Sequence, residues 1–416
     1  MSAPASSKPF DIVVFGATGF TGRQAALYLA QNAAPSVRLA VAGRRPEKLQ
    51  EVVEAIRATG YTRDVGIIIA DSSQPEQITN MVAQTRVLLS TAGPYARYGE
   101  PVIAACARLG VDYVDITGET PWVRQMIDAY EADALRSGAK LVPMCGFDSV
   151  PSDLGAFMMV QHLREVCGVG TREVKAFFKA KGGVNGGTLA SAFNLMEAFG
   201  LETFQDPLLL NPSSHRTEAW RALCPPDDGS YFDADAGRWA VPFFMASVNT
   251  RVVRRSAALA ELAGEPYGKG MRYHEHMLLP GWTGAVGASL ANGASWLGHR
   301  LVAHKQSRKL AQWLAPQPGE GPSDATMDRG FFEVWLFAEG EDGRKISGEI
   351  FNQGDPGNRS TVKMLCESAL ALLLQRDMLP GGAQRVGFLT PAFAFGAILL
   401  ERLRKADMIW AVEEGD

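Results

Sequence analysis

The chain has 416 residues, enough for two or three domains of ordinary size. Apolar residues make up 46% of it and charged residues 21%, a balance that excludes a wholly disordered chain, a collagen-like repeat and a polytopic membrane protein. The net charge of −4 argues against nucleic acid as the main partner, because proteins that bind a duplex carry an excess of Lys and Arg.

The cysteines and the first ten residues indicate the cellular compartment in which the protein works. The five cysteines are widely spaced and form no CxxC pair, which disfavours a disulfide framework or a zinc ribbon and fits a reducing environment. The opening sequence MSAPASSKPF lacks the apolar core of a signal peptide. We therefore expect a cytoplasmic protein whose contact with membranes or lipid surfaces is at most peripheral.

Strand-like and helix-like segments alternate through the first 145 residues. Apolar runs typical of buried strands cover residues 11–15, 37–42, 66–70, 87–90, 113–116 and 140–144. Segments with helical spacing lie between them, at residues 20–31, 46–58, 75–83, 101–109 and 121–136. This alternation predicts an α/β fold whose N-terminal domain, residues 1–150, is a doubly wound parallel sheet of the Rossmann type.

The pattern changes after residue 150 and predicts a second, α+β domain. Helices are predicted at residues 151–166, 188–199 and 361–374. Strands are predicted at residues 174–180, 331–338 and 346–351, and the turn Asp342-Gly343 joins the last two. Residues 200–250 read as irregular. We assign residues 151–390 to substrate binding and dimerisation, and expect a C-terminal helix within residues 391–416 to pack back on the first domain.

A glycine-rich turn stands between the first strand and the first helix, and it reads Gly16-Ala17-Thr18-Gly19-Phe20-Thr21-Gly22. Small residues let the chain turn sharply and bring its amides close to a pyrophosphate, and the helix N-terminus adds partial positive charge. The position between strand and helix predicts a dinucleotide site. The residues expected to contact the cofactor are Gly16, Ala17, Thr18, Gly19, Phe20 and Thr21.

The end of the second strand indicates which dinucleotide binds. NAD sites place a carboxylate there, whereas this chain has Arg44 and Arg45. Guanidinium groups can bind phosphate in a bidentate fashion, so the two arginines predict NADP(H) as the cofactor. An alternative is that they lie in solvent at the start of a helix.

Later strand ends are expected to complete the cofactor site, since ligands bind at the carboxyl ends of parallel strands. Asp71 follows the third strand and is placed on the adenine side. The segment Thr91-Ala92-Gly93-Pro94 follows the fourth strand and is placed at the nicotinamide half.

The sequence resembles the saccharopine dehydrogenase-like oxidoreductases, in particular their mycobacterial trans-acting enoyl reductase branch. The segments that carry the resemblance are GATGFTG, AGRR, TAGPYARYGEPVIAAC, DITGE and GFDSVPSDLG, followed in the second half by SVNTRVVRRS, MRYHEHM and QPGEGPS. The resemblance implies a Rossmann domain, an α+β second domain and a nicotinamide cofactor. It also implies reduction of a double bond on acyl chains held by polyketide synthases that lack their own reductase module.

Reducing a conjugated enoyl thioester requires hydride delivery to the β-carbon, stabilisation of the enolate oxygen and protonation of the α-carbon. Tyr95 is the first candidate for a catalytic polar group beside the nicotinamide, with Tyr98 behind it, because both follow the fourth strand. The alternative is that the two rings pack against the cofactor or cover the end of the sheet.

Carboxylates follow the fifth and sixth strands. Asp115 and Glu119 lie in DITGE, and Asp148 lies in GFDSVPSDLG. Such groups can orient the cofactor, bind substrate or transfer a proton, and we name Glu119 and Asp148 as catalytic candidates. Alternatively, these carboxylates and Ser149 cap the helices predicted to begin near residues 121 and 151, and Asp153 complements the dipole of the second of these helices.

The remaining polar clusters point to no metal site. His274 and His276 would share one face of a strand, but no further Cys or His nearby completes a ligand set. Arg251, Arg254 and Arg255 form a basic cluster that either meets the phosphate of CoA or of a carrier-bound phosphopantetheine, or lies at a solvated strand end.

One uncharged stretch, residues 277–298, raises the question of membrane contact. It is long enough to span a bilayer as a helix, but Pro280 and five glycines weaken it. We expect a segment that packs against the protein itself. Trp282 and Trp296 would then lie near a surface and allow at most reversible lipid contact.

Three functions remain open from the residues. The favoured one is an NADP(H)-dependent reductase of an enoyl group on a small-molecule or carrier-bound acyl chain, because the uncharged stretch and apolar residues such as Phe243 and Phe244 suit such a chain. The others are an amino-acid oxidoreductase of the saccharopine dehydrogenase type and a non-catalytic nucleotide-binding scaffold at lipid surfaces. A homodimer is one possible assembly. None of the nine tyrosines has a lysine four residues later, which disfavours a short-chain dehydrogenase.

Overall fold

Two seven-stranded sheets organise the protein, as seen in a computed structural model that describes residues 8–182, 206–224, 229–280, 284, 287 and 321–414. The first sheet is parallel at every pairing and has the order β13-β6-β5-β4-β1-β2-β3. Its strands are β1 Phe10–Phe15, β2 Leu39–Gly43, β3 Gly66–Ile69, β4 Thr85–Ser90, β5 Asp112–Asp115, β6 Lys140–Val142 and β13 Gly387–Phe388. The predicted parallel sheet is confirmed.

The helices of this part begin where the sequence predicts them. They are α1 Phe20–Asn32, α2 Pro46–Ala58, α3 Pro75–Ala83, α4 Tyr95–Tyr98, α5 Glu100–Leu109, α6 Thr120–Ser137 and α7 Val150–Glu165. Five of them, α2, α3, α5, α6 and α7, carry proline in the first turn, where the missing N–H costs nothing. The four-residue α4 is the helix that the sequence does not predict.

The second sheet is mixed and has the order β14-β12-β11-β7-β10-β9-β8. Its strands are β7 Thr171–Lys181, β8 Tyr231–Asp233, β9 Arg238–Pro242, β10 Arg272–Leu278, β11 Phe331–Gly340, β12 Lys345–Gln353 and β14 Ile409–Glu414. The predicted hairpin is confirmed, since β11 and β12 pair antiparallel on either side of the Asp342-Gly343 turn. β7 and β10 run parallel to each other.

The expectation that residues 200–250 are irregular is wrong for the described part of that region. It contains α8 Glu218–Arg221, the strands β8 and β9, and the start of α9 Ala246–Leu262. The two strands have three and five residues, too few for a clear alternation of apolar and polar side chains. The predicted helix at 188–199 lies outside the described residues, as does most of the stretch 277–298 with both of its tryptophans.

Helices from the second half of the chain fill the space between the two sheets. The remaining helices are α10 Asp324–Asp328, α11 Thr361–Leu374 and α12 Pro391–Lys405. α11 packs on β4, β5 and α1, α7 packs on β7, β11 and β12, and α12 lies against both α7 and α11. One continuous hydrophobic core runs through these helices and both sheets. α12 also contacts β6 of the first sheet, while the domain boundaries at residues 150 and 390 stay predictions.

Candidate active site

The glycine-rich turn after β1 is closely packed, and two of its glycines leave no room for a side chain. Gly16 has a φ of +83°, and a Cβ there would lie 2.9 Å from the backbone nitrogen of Ala92. A Cβ at Gly22 would lie 2.2 Å from the carbonyl oxygen of Gly16. The chain therefore needs glycine at both positions to pass from β1 into α1 beneath residues 91–92.

The start of α1 fits a pyrophosphate. Gly19 is the N-cap in extended conformation and supplies no side-chain cap, so the first amides of the helix, beginning with those of Phe20 and Thr21, have no partner within it. A Cβ at Gly19 would have the Gly16 carbonyl oxygen at 3.2 Å as its single near neighbour, so one side of this residue is open. An anion can approach these amides from that side.

The second strand ends in two unpaired cations. Arg44 and Arg45 are exposed, and the side chain of neither forms a hydrogen bond or an ion pair with any other described residue. The side chain of Thr18 lies 3.9 Å from where a Cβ of Gly43 would be, so the turn and the arginines share one corner. This corner can hold the 2′-phosphate that distinguishes NADP(H).

Asp71 lies beside this corner at the end of β3. Its Oδ1 accepts hydrogen bonds from the Ser73 amide at 2.9 Å and the Ser73 hydroxyl at 2.8 Å. These bonds, with a smaller contribution from the nearby charge of Arg44, hold the pKa of Asp71 below its usual value. The carboxylate is therefore ionised at neutral pH and can accept from a ribose or adenine donor.

The segment after β4 crosses the glycine-rich turn. The amide and hydroxyl of Thr91 both donate to the carbonyl oxygen of Phe15, at 2.9 and 3.2 Å, and the Gly93 amide donates to the Thr91 carbonyl at 3.1 Å. Together with the contact of Gly16 on Ala92, these bonds bring the segment Thr91-Ala92-Gly93-Pro94 and the phosphate turn into one wall at the carboxyl edge of the sheet.

Tyr95 is buried, and its hydroxyl faces the end of the sheet. The hydroxyl donates to the Ser90 carbonyl at 3.0 Å and accepts from the Ile116 amide at 3.4 Å, and the ring lies 5.7 Å from that of Trp122. Burial and nearby carboxylates raise the pKa of Tyr95 well above its usual value. The ring of Tyr98 is partly exposed, with the Arg97 guanidinium 5.3 Å from its centroid. A catalytic role for either tyrosine stays a prediction.

Glu119 is buried and holds the segment that follows β4. Its Oε1 accepts from the Tyr95 amide at 2.9 Å, and its Oε2 accepts from the Ala96 amide at 2.7 Å. The carboxylate thus binds the N-terminus of α4, where negative charge is favoured. The expectation that its side chain caps the helix at residue 121 is wrong, because Glu119 is the N-cap of α6 without a side-chain cap bond.

Asp148 carries the free carboxyl group of the site. Its Oδ2 lies 3.6 Å from where a Cβ of Gly118 would be, at the meeting point of the loops after β5 and β6. No described side chain or amide forms a hydrogen bond with this carboxyl, and burial raises its pKa to about 6. The backbone around it is fixed, since the Phe147 amide donates to the Thr361 hydroxyl at 3.1 Å.

The capping alternatives for Asp148 and Ser149 are wrong, whereas Asp153 lies in the first turn of α7, as the dipole alternative predicts. Ser149 is the N-cap of α7, but its buried hydroxyl makes no side-chain cap bond and has no hydrogen-bond partner among the described residues. Asp153 is buried, and its carboxylate accepts from the Ser256 hydroxyl at 2.5 Å and from the Ala392 amide, in the first turn of α12, at 2.8 Å. Burial raises the pKa of Asp153 to about 7.

Asp115 has a structural role at the end of β5. Its carboxylate accepts from the amides of Thr117 and Met144, both at 2.9 Å, and from the hydroxyl of Tyr113 at 2.8 Å. Burial raises its pKa to about 6 despite these bonds. Asp115 thereby ties the loop after β5 to the loop after β6, in which Asp148 lies.

The basic cluster is not a solvated strand end, so that expectation is wrong. Arg251, Arg254 and Arg255 lie on α9 and are buried. Arg251 donates to the Thr120 hydroxyl at 2.9 Å, and Arg255 donates to the carbonyl of Leu210 at 2.5 Å. A helix with three buried arginines lacks the periodicity of an amphipathic helix, which explains why the sequence misled here.

His274 and His276 share one face of β10, as predicted, with ring centroids 5.8 Å apart. Burial lowers the pKa of each to about 4, so both are neutral at pH 7. Within the described ranges no group of three His, Cys, Asp or Glu side chains is placed to hold a metal ion.

Comparisons with known proteins agree with this geometry. Residues 12–142 match the family model described as saccharopine dehydrogenase NADP binding domain, so the cofactor prediction is confirmed as NADP(H). A trans-acting enoyl reductase of Mycobacterium tuberculosis is 35% identical over 97% of this chain and 98% of its own, and one of Mycobacterium leprae is 36% identical over 97% of each.

A solved structure shows the same overall fold. The apo form of saccharopine dehydrogenase (L-Glu forming) from Saccharomyces cerevisiae matches 98% of this chain and 100% of its own, with a TM-score of 0.53 and 15% sequence identity. At this identity the match concerns the fold alone. It supports a first domain of the Rossmann type followed by a second α/β part.

Proposed function

Because the chain belongs to the trans-acting enoyl reductase family of saccharopine dehydrogenase-like oxidoreductases, we propose that it reduces the enoyl group of a carrier-bound acyl chain with NADPH. Membership of the family makes it an NADP(H)-dependent oxidoreductase. The enoyl substrate is taken from the names of the relatives, and the arrangement around Asp148 supports it.

The carboxyl group of Asp148 is the observation that carries the proposal. The glycine-rich turn, with Arg44 and Arg45 at the 2′-phosphate, would hold NADPH, which would supply the hydride for the β-carbon of the enoyl thioester. The carboxylic acid of Asp148 donates its proton to the α-carbon, so the double bond is saturated and a carboxylate remains. The side chain is partly exposed and has no hydrogen-bond partner among the described residues, so solvent can return the proton.

The other candidates receive separate roles in this proposal. Tyr98 is assigned to donate a hydrogen bond to the enolate oxygen, because its partly exposed ring follows the segment at the nicotinamide half. Glu119 and Tyr95 are assigned as positioning residues. Their bonds to the amides of residues 95 and 96 and to the carbonyl of Ser90 support a role in fixing this segment.

Two assays test the proposal. One measures NADPH oxidation with enoyl-CoA esters of increasing chain length, and the other measures NADP⁺ reduction with saccharopine. We expect turnover with enoyl esters and a loss of about 10²-fold or more in kcat for Asp148→Asn. Asp64→Asn is the matched control, because Asp64 is exposed and precedes β3, at the opposite end of the parallel strands from the loop that holds Asp148. Turnover of saccharopine alone, or an Asp148→Asn variant as active as the unmodified protein, would contradict the proposal.

We also propose that any contact with lipid surfaces is peripheral and that the second sheet region provides it. Phe244 is 78% exposed and Phe232 is 56% exposed, and both adjoin β9. No helix among the described residues is long and apolar enough to cross a bilayer. Flotation with phospholipid vesicles should fall for Phe232→Ser/Phe244→Ser, and carbonate should release all bound protein. The homodimer stays a prediction that light scattering after size exclusion can test.

A further inference from the structure

One face of α1 is held by residues that lie more than 290 positions later in the chain. Phe20, Gln24 and Tyr28 are spaced four apart and therefore share this face. Each has a partner from the second half of the chain. This matters because α1 begins at the glycine-rich turn, and its first amides are the groups that would bind the cofactor's pyrophosphate.

The first of these contacts is made by Phe20, which belongs to the glycine-rich turn. Gly321 lies against the ring of Phe20 so closely that a Cβ on Gly321 would stand 2.4 Å from its Cζ and 2.5 Å from its Cε1. The φ of Gly321 is not in the left-handed region, so a larger residue here would meet the ring of Phe20 and would not strain the backbone. Phe20 is the first residue of α1, so a group placed at Gly321 must shift a side chain that belongs to the start of that helix.

The second contact is an ion-pair group centred on Arg359. Its guanidinium donates to Gln24 Oε1 at 3.1 Å, to Asp324 Oδ1 at 2.8 Å and to Asp328 Oδ1 at 2.9 Å. Asp324 and Asp328 are the two ends of α10, which begins three residues after Gly321. Arg359 therefore links α10 to α1 one helical turn beyond Phe20.

The segment 321–330 is itself anchored to the second sheet. The Asp355 amide donates to the Met327 carbonyl at 2.8 Å, and the Gly354 amide donates to the Gly330 carbonyl at 2.8 Å. Residues 354 and 355 follow β12 immediately. The third contact on α1, the hydroxyl of Tyr28 donating to Glu367 Oε1 at 2.9 Å, adds a bond to α11.

From these contacts we propose that residues 321–330 form the second-domain wall of the NADP(H) site, with Gly321 and Arg359 as positioning residues that fix the start of α1. The cofactor site is then built from both halves of the chain. The affinity of this site for NADPH then depends on how the segment anchored to the second sheet holds Phe20 and Gln24. The proposal rests on the cofactor site and requires nothing of the acyl substrate.

A binding titration tests the proposal. NADPH is added to the purified full chain without any acyl substrate, and the fluorescence of the cofactor reports its binding. Gly321→Ala should raise the Kd for NADPH about fivefold, because the new methyl group must push the ring of Phe20 aside. The melting temperature of the free protein should stay within about 2 °C. Gly229→Ala is the matched control, since a Cβ at Gly229 meets no atom within 4 Å.

A double-mutant cycle separates positioning from a general structural effect. Phe20→Leu removes the ring atoms that the new Cβ would meet, so Gly321→Ala should weaken NADPH binding no further in that background. Arg359→Gln should raise the Kd for NADPH about threefold and reduce its dependence on salt. Unchanged affinity in both Gly321→Ala and Arg359→Gln, or equal losses from Gly321→Ala with Phe20 and with Leu at position 20, would overturn the proposal.

Discussion

Two carboxyl groups five residues apart, Asp148 and Asp153, have different surroundings and therefore different uses. Burial raises the pKa of both, to about 6 and about 7. Asp153 accepts from the hydroxyl of Ser256 and the amide of Ala392, so its oxygens are engaged between α7, α9 and α12. Asp148 has no such partner among the described residues. A raised pKa by itself thus does not distinguish the two carboxyl groups, and the proposed role of Asp148 as the acid depends on its unpartnered oxygens.

The pH dependence of the reaction follows from the assignment of Asp148. The proton donor must carry its proton, and the acid form disappears as the pH rises through about 6. We expect kcat/KM for an enoyl ester to fall above this pH. The affinity for NADPH should not fall with it, because the 2′-phosphate loses its second proton near pH ~6 and the dianion binds Arg44 and Arg45 more strongly. A pH profile from stopped-flow NADPH oxidation checks this. A rate that rises with pH over the same range would show that another group donates the proton.

The preference for NADP(H) is expected to come from Arg44 and Arg45. Both are exposed and unpaired within the described residues, so they are available to a 2′-phosphate. NADPH should bind at least about tenfold tighter than NADH, a difference of ~1.4 kcal/mol, and replacing both arginines with Ala should remove most of it. Isothermal titration with both cofactors measures this. Arg57→Ala, exposed near the far end of α2, should leave the ratio unchanged.

At the scale of elements, the turn into α1 contains two glycines with different surroundings. Gly22 is confined, because its Cβ position lies 2.2 Å from a backbone carbonyl oxygen. Gly19 is open on one side and occupies an N-cap position, where Asp is among the preferred residues. Gly22 is needed for the packing of the turn, and Gly19 leaves room for the ligand to approach.

Substitutions at these two glycines should therefore have opposite effects. Gly19→Asp should fold normally yet abolish NADPH binding, since its carboxylate stands where the pyrophosphate binds. Gly22→Ala should lower the free energy of unfolding by about 2 kcal/mol or more. Circular dichroism, urea unfolding and NADPH fluorescence distinguish the cases. Full NADPH binding by Gly19→Asp would show that the cofactor lies elsewhere.

A comparison of the elements with the sequence shows how much of the fold and of the site the sequence predicts. The parallel strands and proline-started helices of residues 8–165 are predicted to within about two residues, because buried strands are continuous apolar runs and their helices have clear N-terminal signals. α9 is missed because its buried arginines interrupt the apolar stripe. The phosphate turn is found by its glycines. The wall formed by residues 321–330 is not, since it depends on a contact between Gly321 and Phe20 that no local pattern records.

At the scale of the whole molecule, the buried arginines connect parts that are distant in sequence. Arg255 on α9 donates to the carbonyl of Leu210 at 2.5 Å and to that of Phe388, in β13, at 2.7 Å. Burial lowers its pKa to about 10, so the group remains charged at neutral pH. It thereby holds an edge strand of the first sheet to a helix that packs on the second sheet.

Removing this connection should destabilise the entire protein. Arg255→Met leaves two buried carbonyl groups without their donor, and we expect the free energy of unfolding to fall by about 3 kcal/mol. Urea unfolding followed by both tryptophan fluorescence and circular dichroism measures the loss, and the two signals should shift together. Arg57→Met serves as the surface comparison. A loss no larger than that of the comparison would mean that the buried bonds are replaced by water.

The return of the chain to both sheets after residue 387 has a consequence for synthesis on the ribosome. β13 adds the outer strand beside β6, and β14 adds the outer strand beside β12. Until these two segments emerge, each sheet presents an open edge whose amides and carbonyls can pair with another nascent chain. Translation stalled before residue 387 should therefore yield products that aggregate, and a chaperone that covers strand edges should be needed until β14 has also emerged.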